Sequence, residues 1–306
     1  MTPAINDIHC HFFSGHFFSA LARQRGAASP QSPAEVCLEL HWDDPGTPDA
    51  LADRWIAELD AHGVARAALI ASVPGDEDSV AAAVARHPSR IVGFFMVDAS
   101  AADAPARVRR AIAEQSLRGV CLFPAMHHVP LGDERVTRII EIAASTPGTA
   151  VFVHCGVLSV GVRGTLGLPS RFDMRLGNPL DVSRLALMFP SVPFIIPHFG
   201  AGLLREALMA AGVASNIHLD SSSSNAWVRY TPGLTLDAVF TAALSVVGPS
   251  RLLFGTDSSF FPRGWQRGVY ESQKQIVAEA GVSAADAALI FGGNFDRLFP
   301  PVFPHS

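Results

Sequence analysis

Two histidines separated by a single residue, His9 and His11, lie at the end of the first apolar segment of the sequence. Alternate side chains of an extended strand point to the same face, so the two imidazoles face the same way. A neutral imidazole nitrogen is a common metal ligand, and two of them on one face can bind one divalent cation. The pair alone does not establish a site, because a histidine at a strand end is more often a hydrogen-bonded structural group.

Three later apolar segments also finish on a residue that can bind metal or carry a proton. These residues are His154, His198 and Asp257. A polar side chain at such a position costs desolvation free energy unless it finds a metal or a hydrogen-bond partner. Each residue by itself would be interpreted as structural. Together, the four segments predict one cluster of histidines and a carboxylate, with ligands for a metal and a group for acid/base chemistry.

The cluster requires parallel strands whose carboxyl ends meet, and the sequence pattern predicts them. Amphipathic stretches with near-helical spacing, at 48–62, 76–87, 104–115, 133–145 and 179–189, separate short apolar runs. Repeated β–α units are typical of the α/β class, and eight of them fit a (β/α)8 TIM barrel. A doubly wound open sheet gives similar runs and is the alternative. The runs cover residues 4–9, 66–72, 91–97, 119–123, 150–154, 194–198, 217–220 and 252–257.

Two long insertions interrupt the barrel pattern, at 12–47 after the first strand and at 155–178 after the fifth. Segments that follow strands lie on the C-terminal face of a barrel, where active sites are built. We expect one domain over residues 1–306, ending in a helix at 284–298 that Gly292 and Gly293 interrupt and Asn294 restarts as a cap. The four cysteines are scattered, which favours buried reduced thiols.

Composition excludes some classes of partner. The chain has 23 Lys and Arg against 28 Asp and Glu, a net charge of −5 without long runs of one sign. It therefore lacks the basic surface that nucleic acid binding requires. The start of the sequence lacks the basic and apolar regions of a signal peptide, and no apolar run is long enough to span a membrane. We expect a cytoplasmic protein that binds neither nucleic acid nor membrane.

The sequence resembles the amidohydrolase superfamily, in particular the amidohydrolase-related branch that contains aminocarboxymuconate semialdehyde decarboxylase. The resemblance spans nearly the whole chain and implies that His9, His11, His154 and Asp257 are metal ligands. It also implies that His198 is the catalytic acid/base, with Asp257 sharing a hydrogen bond with water or substrate at the metal. The matching segments are DIHCHFF, ELDAHGVARAALIAS, RIVGFFMVD, RGVCLFP, FVHCG, FPSVPFIIPHFGAG, IHLDSSS, LLFGTDSSFF and GGNFDRLF.

The resemblance also bears on the number of metals. Binuclear members of the superfamily usually bridge two metals with a carboxylated lysine after the fourth strand. Here Pro124 follows that strand, and Lys274, the only lysine in the chain, lies after the eighth. We therefore predict one divalent metal per chain. Nitrogen and oxygen ligands with an open position suit zinc first, with manganese as the rival.

The function implied by the branch is non-oxidative decarboxylation of an aromatic or unsaturated carboxylic acid by a metal-dependent carbon–carbon lyase. The alternative is a hydrolase of an ester, lactone or amide that uses a metal-bound hydroxide, because the same ligands serve both chemistries. A non-catalytic metal-binding barrel is a third interpretation, which requires His198 to be idle. Resemblance to branch members also predicts a homodimer, with apolar surface around Phe17, Phe18 and Leu21 in the first insertion.

Other side chains in the same loops are candidates for substrate contacts. Asp220 and serines 221–224 are candidates to orient the ligands, and His218 is expected to be an interior hydrogen-bonding group. His127 and His128, after the fourth strand, are expected to be solvated. Five arginines of these loops are candidates, and each could bind a carboxylate or form a surface ion pair. The candidate arginines are Arg163, Arg171, Arg175, Arg229 and Arg263, and the aromatic residues expected to form the lining or the barrel top are Phe12, Phe13, Phe17, Phe18, Phe260, Phe261 and Trp265.

Overall fold

The computed structural model describes residues 4–26 and 31–301, and its centre is a single sheet of eight parallel strands. The strands pair in the order in which they occur along the chain, from β1 to β8. They are β1 Ile5–Phe12, β2 Val64–Ala71, β3 Ile91–Val97, β4 Gly119–Leu122, β5 Ala150–Val153, β6 Phe194–Ile196, β7 Ile217–Asp220 and β8 Leu252–Leu253.

Helices follow the strands and surround the sheet, as the amphipathic stretches predict. Polar caps begin several of them: Thr47 and Asp133, for example, accept hydrogen bonds from the backbone of the helices that follow. The helices are α1 Gly15–Gln24, α2 Pro33–Leu40, α3 Pro48–Ala61, α4 Glu77–Arg86, α5 Ala104–Ala113, α6 Pro124–His127, α7 Glu134–Ala144, α8 Gly161–Thr165, α9 Pro179–Met188, α10 Leu204–Val213, α11 Leu236–Val247, α12 Arg267–Glu279, α13 Ala284–Ala288 and α14 Asn294–Leu298.

Backbone hydrogen bonds between β1 and the segment after β8 close the sheet into a barrel. The N–H of Ile8 donates to Phe254 (3.0 Å), and the N–H of His11 donates to Ser258 (2.7 Å). A parallel bridge between Cys10 and Ser258 lies at the same seam. The (β/α)8 TIM barrel predicted from the sequence is therefore confirmed, and the open sheet is excluded.

Both faces of the strands are buried, which explains their continuous apolar sequences. Ile8, Phe94, Phe152 and Ile195 belong to the cluster that fills the barrel interior. The larger cluster lies between the strands and the surrounding helices. This packing fixes the strand ends, so side chains at the carboxyl ends of the strands are held on a rigid frame.

The predicted sixth and eighth strands extend too far toward their carboxyl ends. β6 ends at Ile196 rather than at His198, and β8 ends at Leu253 rather than at Asp257. The reason is the backbone of the two polar residues: φ is 54° at His198 and 60° at Asp257, a left-handed conformation that a strand cannot continue through. Both residues therefore lie in turns just beyond the strand ends.

The C-terminal prediction needs a correction at Asn294. A π-helical turn, Leu289–Gly293, connects α13 to α14, so the helical path is not broken at the glycines. Asn294 is itself helical and does not cap a restart. Its buried side-chain amide donates to the carbonyls of Pro249 (2.7 Å) and Leu252 (2.8 Å), and so ties α14 to the start of β8.

The two insertions pack against each other over the carboxyl end of the barrel. The first carries α1 and α2, with residues 27–30 outside the described ranges, and the second carries α8. Phe17, Phe18 and Leu21 are buried against Val162 and other apolar side chains of the second insertion. The apolar surface on which we based a homodimer is therefore not exposed, because the second insertion covers it. The dimer remains a prediction from resemblance alone.

Among the described helices, none is long and apolar enough to cross a membrane.

Candidate metal centre

Three side chains from the two sides of the barrel seam form a group with metal-binding geometry. His9 and His11 come from β1, and Asp257 comes from the turn after β8. One potential ligand atom from each residue lies within 4.8 Å of the others. The Nε2 atoms of His11 and His9 lie 2.9 and 3.6 Å from Oδ1 of Asp257. The spacing of His9 and His11 in sequence therefore does place both rings on one face, as predicted.

Hydrogen bonds to Nδ1 orient the ring of His9. Oδ2 of Asp220 lies 2.8 Å from this nitrogen and the Ser222 hydroxyl lies 2.9 Å away. The Ser222 hydroxyl donates to Asp220 (2.8 Å), so the Nδ1–H of His9 donates to this pair. Its Nε2 then carries the lone pair that faces Asp257. A carboxylate behind a ligand histidine is the usual way in which proteins fix the ring and raise its basicity.

His11 is oriented in the same way by Ser72, at the end of β2. Nδ1 of His11 lies 2.7 Å from the Ser72 hydroxyl, which itself donates to the carbonyl of Ile70 (2.9 Å). The hydroxyl therefore accepts from His11, and the lone pair of the ring is on Nε2. That nitrogen and the Asp257 carboxylate are both acceptors at 2.9 Å, an arrangement that requires a proton or a cation between them. The residues present fit a bound divalent metal.

The backbone around Asp257 is fixed by a buried carboxylate. Asp7 accepts from the N–H groups of His9 (2.9 Å) and Thr256 (3.1 Å), and from the Thr256 hydroxyl (2.6 Å). The indole of Trp265 donates to the same carboxylate (2.7 Å). Asp257 itself donates its N–H to the carbonyl of His9 (2.8 Å). These bonds hold the two halves of the three-residue group together and stabilise the left-handed backbone at Asp257.

His154 and His198 lie beside this group. The ring centroid of His198 is 5.0 Å from that of His9 and 5.3 Å from that of His154. Nδ1 of His198 donates to the carbonyl of Ser222 (3.1 Å), which leaves Nε2 free. Nδ1 of His154 is buried without a hydrogen-bond partner among the described residues, and the ring stacks on Phe123. His154 is therefore in the cavity but outside the group of three atoms within 4.8 Å.

The loops that carry His154 and His198 pack directly on each other at Gly156. A Cβ added to Gly156 would lie 2.2 Å from the carbonyl oxygen of Gly200 and 2.3 Å from that of Ala201. Its φ of 69° also favours glycine. This contact allows the turn after β6, with positive φ from His198 to Gly202, to sit against the end of β5. Any larger residue at 156 would push the two histidines apart.

Burial and neighbouring charges shift the pKa values of the site in different directions. Burial lowers the pKa of His9, but its hydrogen bond to Asp220 and the charge of that residue raise it overall. Burial lowers the pKa values of His154 and His198; the neighbouring histidines lower that of His154 further, whereas the charge of Asp257 opposes part of the effect at His198. Burial raises the pKa of Asp257, but its close contact with His11 and the other nearby histidines lower it overall. Asp257 is therefore ionised near neutral pH, whereas burial favours the neutral form of His154 and His198.

A cavity of about 590 Å³ opens above these side chains, within the range of small-molecule sites. Arg229 and Arg263 line it, whereas Arg175 is exposed and pairs with Asp173. The Arg263 guanidinium lies 4.5 Å from the Phe260 ring centroid and donates to the Ser259 hydroxyl (2.6 Å). Of the predicted aromatic residues, those that line the cavity are Phe13, Phe17 and Phe260, whereas Phe12, Phe18, Phe261 and Trp265 pack elsewhere.

Several lining residues were not predicted from the sequence. Ser72 follows β2 and could have been found by the same strand-end rule that identified the histidines. Trp42, which stacks on Phe260 at 3.8 Å, lies in the first insertion and carries no sequence signal for this position. His218, predicted as an interior hydrogen-bonding group, is buried and is not among the residues that line the cavity; burial lowers its pKa to about 4, and its Nδ1 lacks a partner among the described residues.

The barrel with a histidine and aspartate cluster at its carboxyl rim is the architecture of metal-dependent enzymes of the amidohydrolase type. The amidohydrolase family matches residues 6–300, and the chain belongs to this family. The curated relative Protein fluG of Emericella nidulans is 25% identical over 163 residues, which cover 51% of this chain and 17% of that protein. The chain therefore spans a small part of that relative's length.

Solved structures share the fold at low sequence identity. The 5-carboxyvanillate decarboxylase of Novosphingobium aromaticivorans, complexed with manganese and 4-hydroxy-3-methoxy-5-nitrobenzoic acid, has a TM-score of 0.65 and 16% identity over 97% of this chain and 96% of its own. A probable 2-pyrone-4,6-dicarboxylic acid hydrolase of Acinetobacter baumannii has a TM-score of 0.61 and 15% identity, over 98% of this chain and 99% of its own. A zinc-bound amidohydrolase of Burkholderia multivorans has a TM-score of 0.62 and 17% identity, over 98% of this chain and 100% of its own.

The family match confirms the predicted membership of the amidohydrolase group, and the solved structures confirm the barrel fold. His9, His11 and Asp257 form a possible metal site.

Proposed function

We propose that the chain is a decarboxylase of an aromatic or unsaturated carboxylic acid, with one divalent metal held by His9, His11, His154 and Asp257. The observation that carries this proposal is the composition of the metal cavity. Aromatic walls and an arginine at the mouth of the cavity, Arg263, meet beside the three-residue group. A flat acid would stack on the rings while its carboxylate pairs with the guanidinium.

Arg263 is well suited to orient the substrate carboxylate. Among the described residues it has no carboxylate partner within 4.0 Å, and its contacts with Phe260 and Ser259 restrict the guanidinium without using all of its donors. Arg229 is the second cation of the cavity, and its side chain contacts the Tyr230 hydroxyl (3.1 Å). A bidentate pair with Arg263 would fix the plane of the leaving carboxylate next to Asp257.

When bound, a divalent metal would supply Lewis-acid polarisation of a substrate oxygen. Zinc is our first choice and manganese the second, because the ligand types suit both. His9 and His11 would present Nε2, since their Nδ1 atoms are held by Asp220 and Ser72. His154 would be the fourth ligand, since its buried Nδ1 makes no competing hydrogen bond within the described ranges.

His198 would move the proton. Its Nδ1–H is held by the carbonyl of Ser222, so Nε2 is the atom that exchanges a proton in the cavity. In decarboxylation the electron pair of the broken carbon–carbon bond stays on the substrate carbon. Nε2 of His198 would first take a proton from the substrate or from solvent and then deliver it to that carbon in place of carbon dioxide. Asp257 would accept a hydrogen bond from the substrate on the opposite side of the cluster.

Hydrolysis of an ester, lactone or amide is the second candidate, favoured by the shared fold of the probable 2-pyrone-4,6-dicarboxylic acid hydrolase. The same cavity residues would serve both reactions, so the products must separate them. The test supplies zinc-loaded and manganese-loaded protein with hydroxybenzoic and cinnamic acids, and in parallel with their methyl esters and with phenolic lactones. Dissolved carbon dioxide and released acid are measured in the same samples.

We expect one carbon dioxide per acid consumed, and no turnover of the esters and lactones. Release of one acid equivalent from an ester or lactone, without carbon dioxide from any acid, would instead establish the hydrolase. The Arg175→Gln variant should give the same products as the unsubstituted protein, because Arg175 is exposed and pairs with Asp173 away from the cavity.

A further inference from the structure

A second cavity, of about 540 Å³, lies next to the metal cavity between the two insertions. Phe17, Leu21 and Gln24 of α1 form one side of it, and Arg163 and Arg171 of the second insertion form the other. Both insertions therefore contribute side chains to one cavity. The decarboxylation proposed above does not use it.

The polar groups of this second cavity are basic. Two arginines and two histidines, Arg163, Arg171, His127 and His128, line it, and no aspartate or glutamate is among its lining residues. The two arginines also have no carboxylate within 4.0 Å in the part of the chain that the structure describes. A cavity with unneutralised guanidinium groups and no acidic side chain attracts an anion.

Arg163 is held in place but is not saturated. It donates from Nη1 to the side chain of Gln24 (2.5 Å) and from Nη2 to the carbonyl of Pro169 (2.7 Å). Its Nε–H is buried and has no partner among the described residues, which costs free energy unless a ligand accepts from it. The backbone of Arg171 is fixed by His128, whose Nε2 donates to the carbonyl oxygen at 2.5 Å. Its guanidinium makes no hydrogen bond within the described ranges.

The second cavity meets the metal cavity. Five side chains line both spaces: Phe17, Ser72, Met96, Met126 and Val160. Ser72 is also the hydrogen-bond partner of His11. The two cavities therefore share a border of mostly apolar side chains, which lies between Arg163 and the three-residue group.

We infer that the second cavity binds a second carboxylate of the substrate, which makes the substrate a dicarboxylic acid. The leaving carboxylate would lie at Arg263 beside the metal-ligand group, and the other would lie between Arg163 and Arg171. The apolar side chains shared by the two cavities would contact the carbon skeleton between the carboxylates. This inference rests on the proposed function, because it assigns the first carboxylate to the metal cavity.

The experiment measures binding rather than turnover. Zinc-loaded protein is titrated calorimetrically with 4-(carboxyalkyl)benzoates of increasing chain length and with the 4-alkylbenzoates of matching length. We expect at least one diacid to bind about 10-fold or more tightly than its monoacid partner, the effect of one added charge-assisted hydrogen bond. Arg163→Gln and Arg171→Gln should each reduce that advantage, while leaving monoacid binding unchanged. Arg175→Gln should keep it.

The inference is overturned if every diacid binds no more tightly than its monoacid. It is also overturned if both variants fold and neither reduces the affinity advantage of the diacid. Thermal unfolding of both variants checks that they fold, and the exposed Arg171 provides a test even if Arg163→Gln does not fold. Equal binding of diacids and monoacids, with carbon dioxide release intact, would remove the second subsite and keep the decarboxylase. A diacid advantage without carbon dioxide release would keep the subsite and remove the decarboxylase.

Discussion

Replacing His198 with asparagine should lower turnover by about 10²- to 10⁴-fold while leaving the metal content near that of the unsubstituted protein. The expected loss follows from the geometry. Nδ1 of His198 is tied to Ser222, and its ring lies beside His9 and His154 rather than within the three-residue ligand group. An asparagine amide can donate to the same carbonyl but cannot exchange a proton near pH 7.

Metal content by elemental analysis and turnover must be measured on the same preparation. Loss of the metal in His198→Asn would reassign His198 as a ligand. Full metal content with near-full turnover would remove its acid/base role, and would favour the interpretation in which the barrel binds metal without catalysis. Ser183→Ala, on helix α9 outside the cavity, is the control and should keep the metal content and turnover of the unsubstituted protein.

The second large effect is expected at Asp257 and His9, two of the proposed metal ligands. Asp257→Asn and His9→Ala should both remove stoichiometric metal and reduce turnover to background. Asp257→Asn removes the ionised acceptor that faces Nε2 of His11. His9→Ala removes a ligand and leaves the buried carboxylate of Asp220 without its ring partner, so this variant should also be less stable.

Asp237→Asn is the matched control for Asp257→Asn, because Asp237 is exposed in the first turn of α11 and should tolerate the same chemical change. Metal retained in Asp257→Asn at the level of this control would contradict the proposed ligand set. His154→Ala is the critical additional variant, because His154 lies outside the group of three. Its metal content decides whether the site has three protein ligands or four.

The barrel could be predicted because its strands are buried on both faces and therefore apolar along their whole length. Strand ends could not be placed as well. The sequence shows that His198 and Asp257 follow apolar runs, but it does not show that their backbones turn into the left-handed region. That conformation depends on tertiary contacts, such as the bonds around Asp7 and the close packing at Gly156.

The functional side chains were predictable where strand periodicity placed them, and less so in the insertions. His9 and His11 share a face because alternate residues of a strand must do so. The distance of His154 from the other candidate ligands depends on packing against Phe123, which spacing does not reveal. The dimer surface around Phe17 was wrongly predicted as exposed, because the partner that buries it lies about 140 residues later in the sequence.

The most direct test of the central claim is a metal titration of metal-free protein during which carbon dioxide release from an accepted acid is followed. Zinc and manganese are added separately in fractions of one equivalent per chain. The proposed site predicts that carbon dioxide release rises in proportion to added metal and reaches its plateau at about one equivalent, since the four proposed ligands would hold a single metal. A plateau at two equivalents, or carbon dioxide release that does not depend on metal, would contradict it.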